Sequence, residues 1–149
     1  MRQLDGQCHC GNIRYRFTWG TDSAALPLRR CGCDFCCDHA AAWTSDNMGS
    51  LVVAIREDTE VNRYRFGTDS ADFLVCRGCG VVPLAISHID GTDYAVINTN
   101  TLNDYATLEF DRSATDFDGE AVADRLARRS RNWIADVSFV DDLVKNGSH

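Results

Sequence analysis

The chain has 149 residues, 44% hydrophobic and 25% charged, which suits one domain with a proper core. Its formal net charge of −7 counts against nucleic acid as a partner, because such proteins present a basic face. No stretch is long and apolar enough to span a membrane, and Met1-Arg2-Gln3-Leu4-Asp5-Gly6 lacks the apolar core of a signal peptide. The expected setting is cytoplasmic, where thiols stay reduced.

In chain order, Cys8-His9-Cys10-Gly11 comes first. Ile13, Tyr15 and Phe17 then alternate with Arg14 and Arg16, the period of a half-buried strand. Trp19 to Ser23 reads as a hairpin turn. Ala25 to Arg30, with Pro27 inside, predicts an edge strand leading into Cys31-Gly32-Cys33-Asp34-Phe35-Cys36-Cys37. Ala40 to Thr44 fits a short helix or a strand equally. Leu51 to Ile55 and Val61 to Phe66 predict strands. Phe73-Leu74-Val75 predicts another, ending on Cys76-Arg77-Gly78-Cys79-Gly80. Val81 to Ser87, with Pro83 at an edge or bulge, Tyr94 to Asn98 and Ala106 to Phe110 complete the β portion.

One long helix is expected over 118–137. Val122, Leu126, Trp133 and Val137 recur at three-to-four spacing as its core stripe. Arg125, Arg128, Arg129 and Arg131 read as a solvated face near its negative end. The fold class is thus mainly β with one C-terminal helix. The arrangement is a single domain, 1–149, with a β core over 6–110. The polar tail, 141–149, reads as frayed.

Eight cysteines in 149 residues is about 5%, below the roughly 8–10% of a disulfide scaffold. Their spacing favours metal over disulfides. Cys76 and Cys79 form a knuckle, with Gly78 and Gly80 freeing backbone N–H groups for the sulfurs. Structural zinc needs four ligands, and Cys8 with Cys10 is the only pair outside the central loop. The economical closure is therefore Cys8, Cys10, Cys76 and Cys79. His9 would have to displace one of these, so it stays out. In the central loop, Cys31, Cys33 and Cys36 can face a second ion. Three protein ligands leave one position open, the mark of a catalytic zinc. Cys37 or His39 remain alternative fourth ligands, Cys37 the more awkward beside Cys36. Three thiolates on Zn²⁺ sum to −1, which makes a poor activator of water but a good partner for another thiol.

The three cysteine groups, in this order, resemble the glutathione-dependent formaldehyde-activating enzyme family, which includes centromere protein V. The resemblance runs from Gln7-Cys8-His9-Cys10-Gly11-Asn12-Ile13-Arg14-Tyr15, through Cys31 to Cys36, to Cys76-Arg77-Gly78-Cys79-Gly80, about 6 to 100. It implies a β-tent fold of small antiparallel sheets. It implies a structural zinc on Cys8, Cys10, Cys76 and Cys79 and a catalytic-type zinc on Cys31, Cys33 and Cys36. The implied activity is carbon–sulfur lyase chemistry, joining glutathione and formaldehyde as S-hydroxymethylglutathione. Gly32 stands where related sequences carry His, and Cys37 where they often carry Arg or Lys.

The basic residues are 14 Arg and a single Lys. Arginine suits planar grips on carboxylates such as those of glutathione, and a high-GC genome gives the same bias without function. Arg29, Arg30 and Arg77 lie nearest the cysteine loops; each is more often a solvated surface residue. Trp43, Tyr64 and Phe66 can wall a pocket or simply pack the core, and His88 reads as surface. Two further classes compete with the enzyme: a zinc-stabilised protein-binding module, and a nucleic-acid-binding zinc ribbon, which the charge opposes.

Overall fold

The structure, a computed structural model, describes residues 2–21 and 24–143. Eleven strands and two helices follow in order: β1 (Arg2–Gln7), β2 (Ile13–Trp19), β3 (Leu26–Cys31), α1 (Asp34–Asp38), β4 (Trp43–Thr44) and β5 (Ser50–Ile55). Then come β6 (Val61–Tyr64), β7 (Asp72–Cys76), β8 (Leu84–Ile89), β9 (Thr92–Asn98), β10 (Phe110–Thr115), α2 (Val122–Asn132) and β11 (Asp136–Val140). They form a four-stranded sheet, β1-β2-β5-β11, and a seven-stranded sheet, β10-β3-β4-β9-β8-β7-β6. Pairing is antiparallel except at two edges, where β10 runs parallel to β3 and β11 parallel to β5. The mainly β class with one notable helix is as the sequence predicts.

The alternation in β2 is clean: Ile13, Tyr15, Phe17 and Trp19 are buried, and the residues between are half-buried. The first three meet Leu51 and Val53 of β5, and Leu26, Leu74, Leu84 and Ile97 of the larger sheet, in the main core. In β8 the period of two is hidden, because both faces are covered. Leu84 and Ile86 join the main core, while Ala85 joins a second cluster with Cys36, Trp43, Val96 and Trp133. That second cluster seats the central cysteine loop and α2 on the far face of the seven-stranded sheet.

Several expectations change. Trp19 to Ser23 does not close a hairpin, because β2 and β3 belong to different sheets; Asp22 and Ser23 lie outside the described residues. β3 is not an edge strand. It lies between β10 and β4, but β4 meets it only at Arg29, so Pro27 has no partner strand on that side. Pro83 precedes β8 rather than sitting in it, and its carbonyl accepts from Asn98 N (2.8 Å). Within 106–110, Tyr105–Thr107 is a 3₁₀ turn, and the strand starts only at Phe110.

The helix is shorter than its 118–137 stripe. α2 stops at Asn132, and Ile134 exchanges two backbone hydrogen bonds with Ala95, each 2.9 Å. Val137 lies in β11, captured by the open edge of β5. The expected tail from Asp141 is described only to Leu143.

Candidate metal centres and the cavity beside them

The first cysteine group is made by two turns of similar design. Cys8 follows β1; Gly11 takes φ +83°, and its N–H donates to Cys8 O (3.1 Å). Cys76 ends β7; Gly80 takes φ +80°, and its N–H donates to Cys76 O (2.7 Å). Positive φ is what glycine reaches without steric cost. Cys8 Sγ lies 3.8 Å from Cys10 Sγ, which lies 3.5 Å from Cys76 Sγ. All four sulfurs, with Cys79, fall within 4.8 Å of one another. A tetrahedral zinc with Zn–S near 2.3 Å has edges of about 3.8 Å, so the donor set fits that ion. Burial pushes Cys8 up and Cys76 up to about 12. Burial also opposes Cys79, but N–H groups of Cys10 and Val81 outweigh it and bring that thiol down to about 6. One sulfur ionises readily while its neighbours hold protons; a shared cation is what would ionise all four.

The second group is more compact in sequence. β3 delivers Cys31. Cys33 caps α1, its Sγ accepting from Cys36 N (3.5 Å). Cys36 is buried within α1, and its Sγ accepts from Trp43 Nε1 (3.3 Å). The three sulfurs again lie within 4.8 Å of one another, which suits the same ion. The Cys36 thiol's hydrogen bond brings Cys31 down to about 5 against burial, with Arg125 adding its charge. That bond and burial drive Cys36 well up, and burial raises Cys33. The two alternative fourth ligands point elsewhere. Cys37 Sγ turns to Cys31 O (3.8 Å), and His39 is exposed and lies against Phe35, the two rings tilted with centroids 4.6 Å apart. Neither joins the three sulfurs.

A cavity of about 660 Å³ opens on this loop. One wall is aromatic. Phe35 stacks on Phe66 (5.0 Å), Phe73 lies 4.8 Å from Phe35, and Trp43 lies 5.8 Å from Phe73. Trp43 and Phe66 therefore line the cavity as the sequence allowed; Tyr64 stacks behind Phe35 and stays exposed. The other wall is cationic: Arg29, Arg125, Arg128 and Arg129. Arg128 forks onto Glu120 (3.1 and 3.2 Å) and lies 3.5 Å over the Phe117 ring. Arg129 is only 6% exposed and binds Ser70 and Ser87.

A family model for glutathione-dependent formaldehyde-activating enzymes matches residues 3–117. The chain belongs to the glutathione-dependent formaldehyde-activating enzyme family. A crystal structure of a Rhodobacter sphaeroides protein is also similar. It is 21% identical, with a TM-score of 0.47, over 91% of this chain and 99% of that one. Among curated proteins, none matches.

Membership in this family covers both cysteine groups and β10, and stops before α2. The sequence assigned all seven clustered cysteines to the groups the structure brings together. Of the three arginines singled out beside the loops, Arg29 lines the cavity. Arg30 and Arg77 are exposed and donate to Ala40 O (3.5 Å) and Thr59 O (3.2 Å). The Arg run of α2 is not a solvated face: Arg125, Arg128 and Arg129 turn inward, and only Arg131 is exposed. The usable signal was their spacing, since 125, 128 and 129 share one helical face with Trp133. His88 is exposed and pairs with Asp93 and, at 3.6 Å, with Asp72. No helix among the described residues is long and apolar enough to cross a membrane.

Proposed function

We propose that this protein is a zinc-dependent carbon–sulfur lyase acting on glutathione, or a related thiol, and its aldehyde adduct. Cys31, Cys33 and Cys36 hold the zinc that takes the thiol, and Cys8, Cys10, Cys76 and Cys79 hold a structural zinc. The chain acts as one domain, 1–149, of β-tent fold, located in the cytoplasm.

One observation carries the reading: three sulfurs converge in the lining of a cavity large enough for a tripeptide, and no fourth donor among the described residues joins them. Zinc, when bound, favours the ionised form of a thiol and so supplies a thiolate at neutral pH. The protein's part is positioning. Trp43 Nε1 and Cys36 N donate to loop sulfurs and fix their directions. In the forward direction the substrate thiol gives up its proton, its sulfur bonds to the aldehyde carbon, the C=O π pair moves to oxygen, and that oxygen takes up a proton from solvent. The reverse breaks that C–S bond.

Cobalt substitution tests it. The wild type should take two metals per chain, and glutathione should intensify the sulfur-to-cobalt charge-transfer band. Cys33→Ser should keep one metal, melt near the wild type, and lose the glutathione response. A Cys33→Ser protein that unfolds as Cys76→Ser does would make the loop structural and sink the enzyme reading.

A further inference from the structure

The cationic wall is unbalanced. Four guanidiniums line the cavity, and Glu120 alone among its carboxylates pairs with them, at 3.1 Å to Arg128 and 3.8 Å to Arg125. Asp34, Asp116 and Asp118 line the rim, exposed, and form no ion pair with these arginines among the described residues. Among the described residues, the side-chain hydrogen bonds of Arg29 and Arg129 go to neutral groups. Arg29 donates to Ser45 Oγ (2.7 Å). Arg129 donates to Ser70 O (3.1 Å), Ser70 Oγ (2.8 Å) and Ser87 Oγ (3.2 Å). Among the described residues, the Nε of Arg129 is buried with no hydrogen-bond partner, and the buried Nε of Arg125 has only the 3.8 Å ion pair with Glu120. Like charges crowded out of water are costly unless a counter-charge arrives. Burial and the neighbouring guanidiniums together bring Arg129 down to about 10, and burial with Arg128 lowers Arg29.

We infer that α2 and β3 build a carboxylate subsite from Arg29, Arg125 and Arg129, so that the thiol taken by the cysteine loop carries a carboxylate at its other end. Guanidinium groups match a planar carboxylate with paired N–H donors. The rim aspartates and the net charge of −7 discourage multiply charged groups, which favours a single carboxylate over a phosphate ester. The subsite depends on α2, which lies beyond the residues that match the family model. The inference rests on the thiol-capture reading above, but the two fail differently.

The test is calorimetric titration of the zinc-loaded protein with 3-sulfanylpropanoate, its methyl ester, and 3-(methylsulfanyl)propanoate. The free acid should bind at least about tenfold tighter than the ester, the worth of a charge-assisted hydrogen bond. Arg125→Gln should remove most of that ratio, weakening the acid far more than the ester, with the zinc count unchanged. The thioether acid, which offers no thiol, should still bind weakly and raise the melting temperature. Equal binding of acid and ester overturns the subsite and leaves thiol capture standing. Binding of the thioether acid as tight as the thiol acid would instead sink thiol capture and keep the subsite. An Arg125→Gln protein that loses zinc but keeps the ratio would mean the arginines only offset the loop's charge, and also overturns the proposal.

Discussion

Asp46 holds the turn after β2 to the turn before β5. Its carboxylate accepts from Gly20 N (2.8 Å), Thr21 N (2.8 Å), Thr21 Oγ1 (2.7 Å) and Met48 N (2.9 Å). Burial works against the charge, but these donors outweigh it, and the carboxyl sits below its ordinary value. Asp46→Asn keeps one acceptor oxygen and loses the charge-assisted bonds. It should cost about 1–3 kcal/mol in urea unfolding at pH 7. The sign with pH follows from the depressed value. The stability is present above the unfolded carboxyl's pKa and is lost as pH falls through the folded one. The gap between wild type and variant should therefore narrow below about pH 4. A gap constant from pH 7 to pH 3 would show that the ionised form contributes nothing. The sequence reads Gly20 and Thr21 as part of a hairpin turn that does not form, and the carboxylate that organises the segment lies 25 residues on from Thr21, where local spacing has no reach.

The passage from α2 into β11 shows where periodicity misleads. Trp133 and Val137 fit a helical stripe, yet they belong to a cap and a strand. Two demands from elsewhere decide this: the Ala95 backbone needs partners, and β5 needs a neighbour. Neither demand is visible within the segment. By contrast, the cysteine turns were legible because metal-ligand spacing is set by a few adjacent residues. Ile134 is the joint between the two elements, 0% exposed in the main core. Ile134→Ala should cost about 2–5 kcal/mol by the cavity it leaves. It should also raise hydrogen exchange in α2 and β11 before the rest of the chain. Uniform exchange across all strands would mean this joint has no separate stability.

At the scale of the whole molecule, the two cysteine groups do different mechanical work. Cys8 and Cys10 sit between β1 and β2 of the smaller sheet, and Cys76 and Cys79 end β7 of the larger. A metal there would clamp one sheet to the other across 66 residues of chain. Structural zinc contributes about 10–16 kcal/mol of apparent binding free energy, comparable with the roughly 5–15 kcal/mol by which a domain exceeds its unfolded state. The second group spans only Cys31 to Cys36, one turn on the outer face, so metal there ties the chain to itself over a short distance. The two should separate under a chromophoric chelator. One zinc should leave quickly with near-ultraviolet circular dichroism unchanged, because Trp43 and Trp133 stay packed. The second should leave slowly, at the rate at which that signal collapses. Glutathione should slow the fast release only. If both zincs leave together with unfolding, the loop's metal is structural and the clamp is not confined to Cys8, Cys10, Cys76 and Cys79.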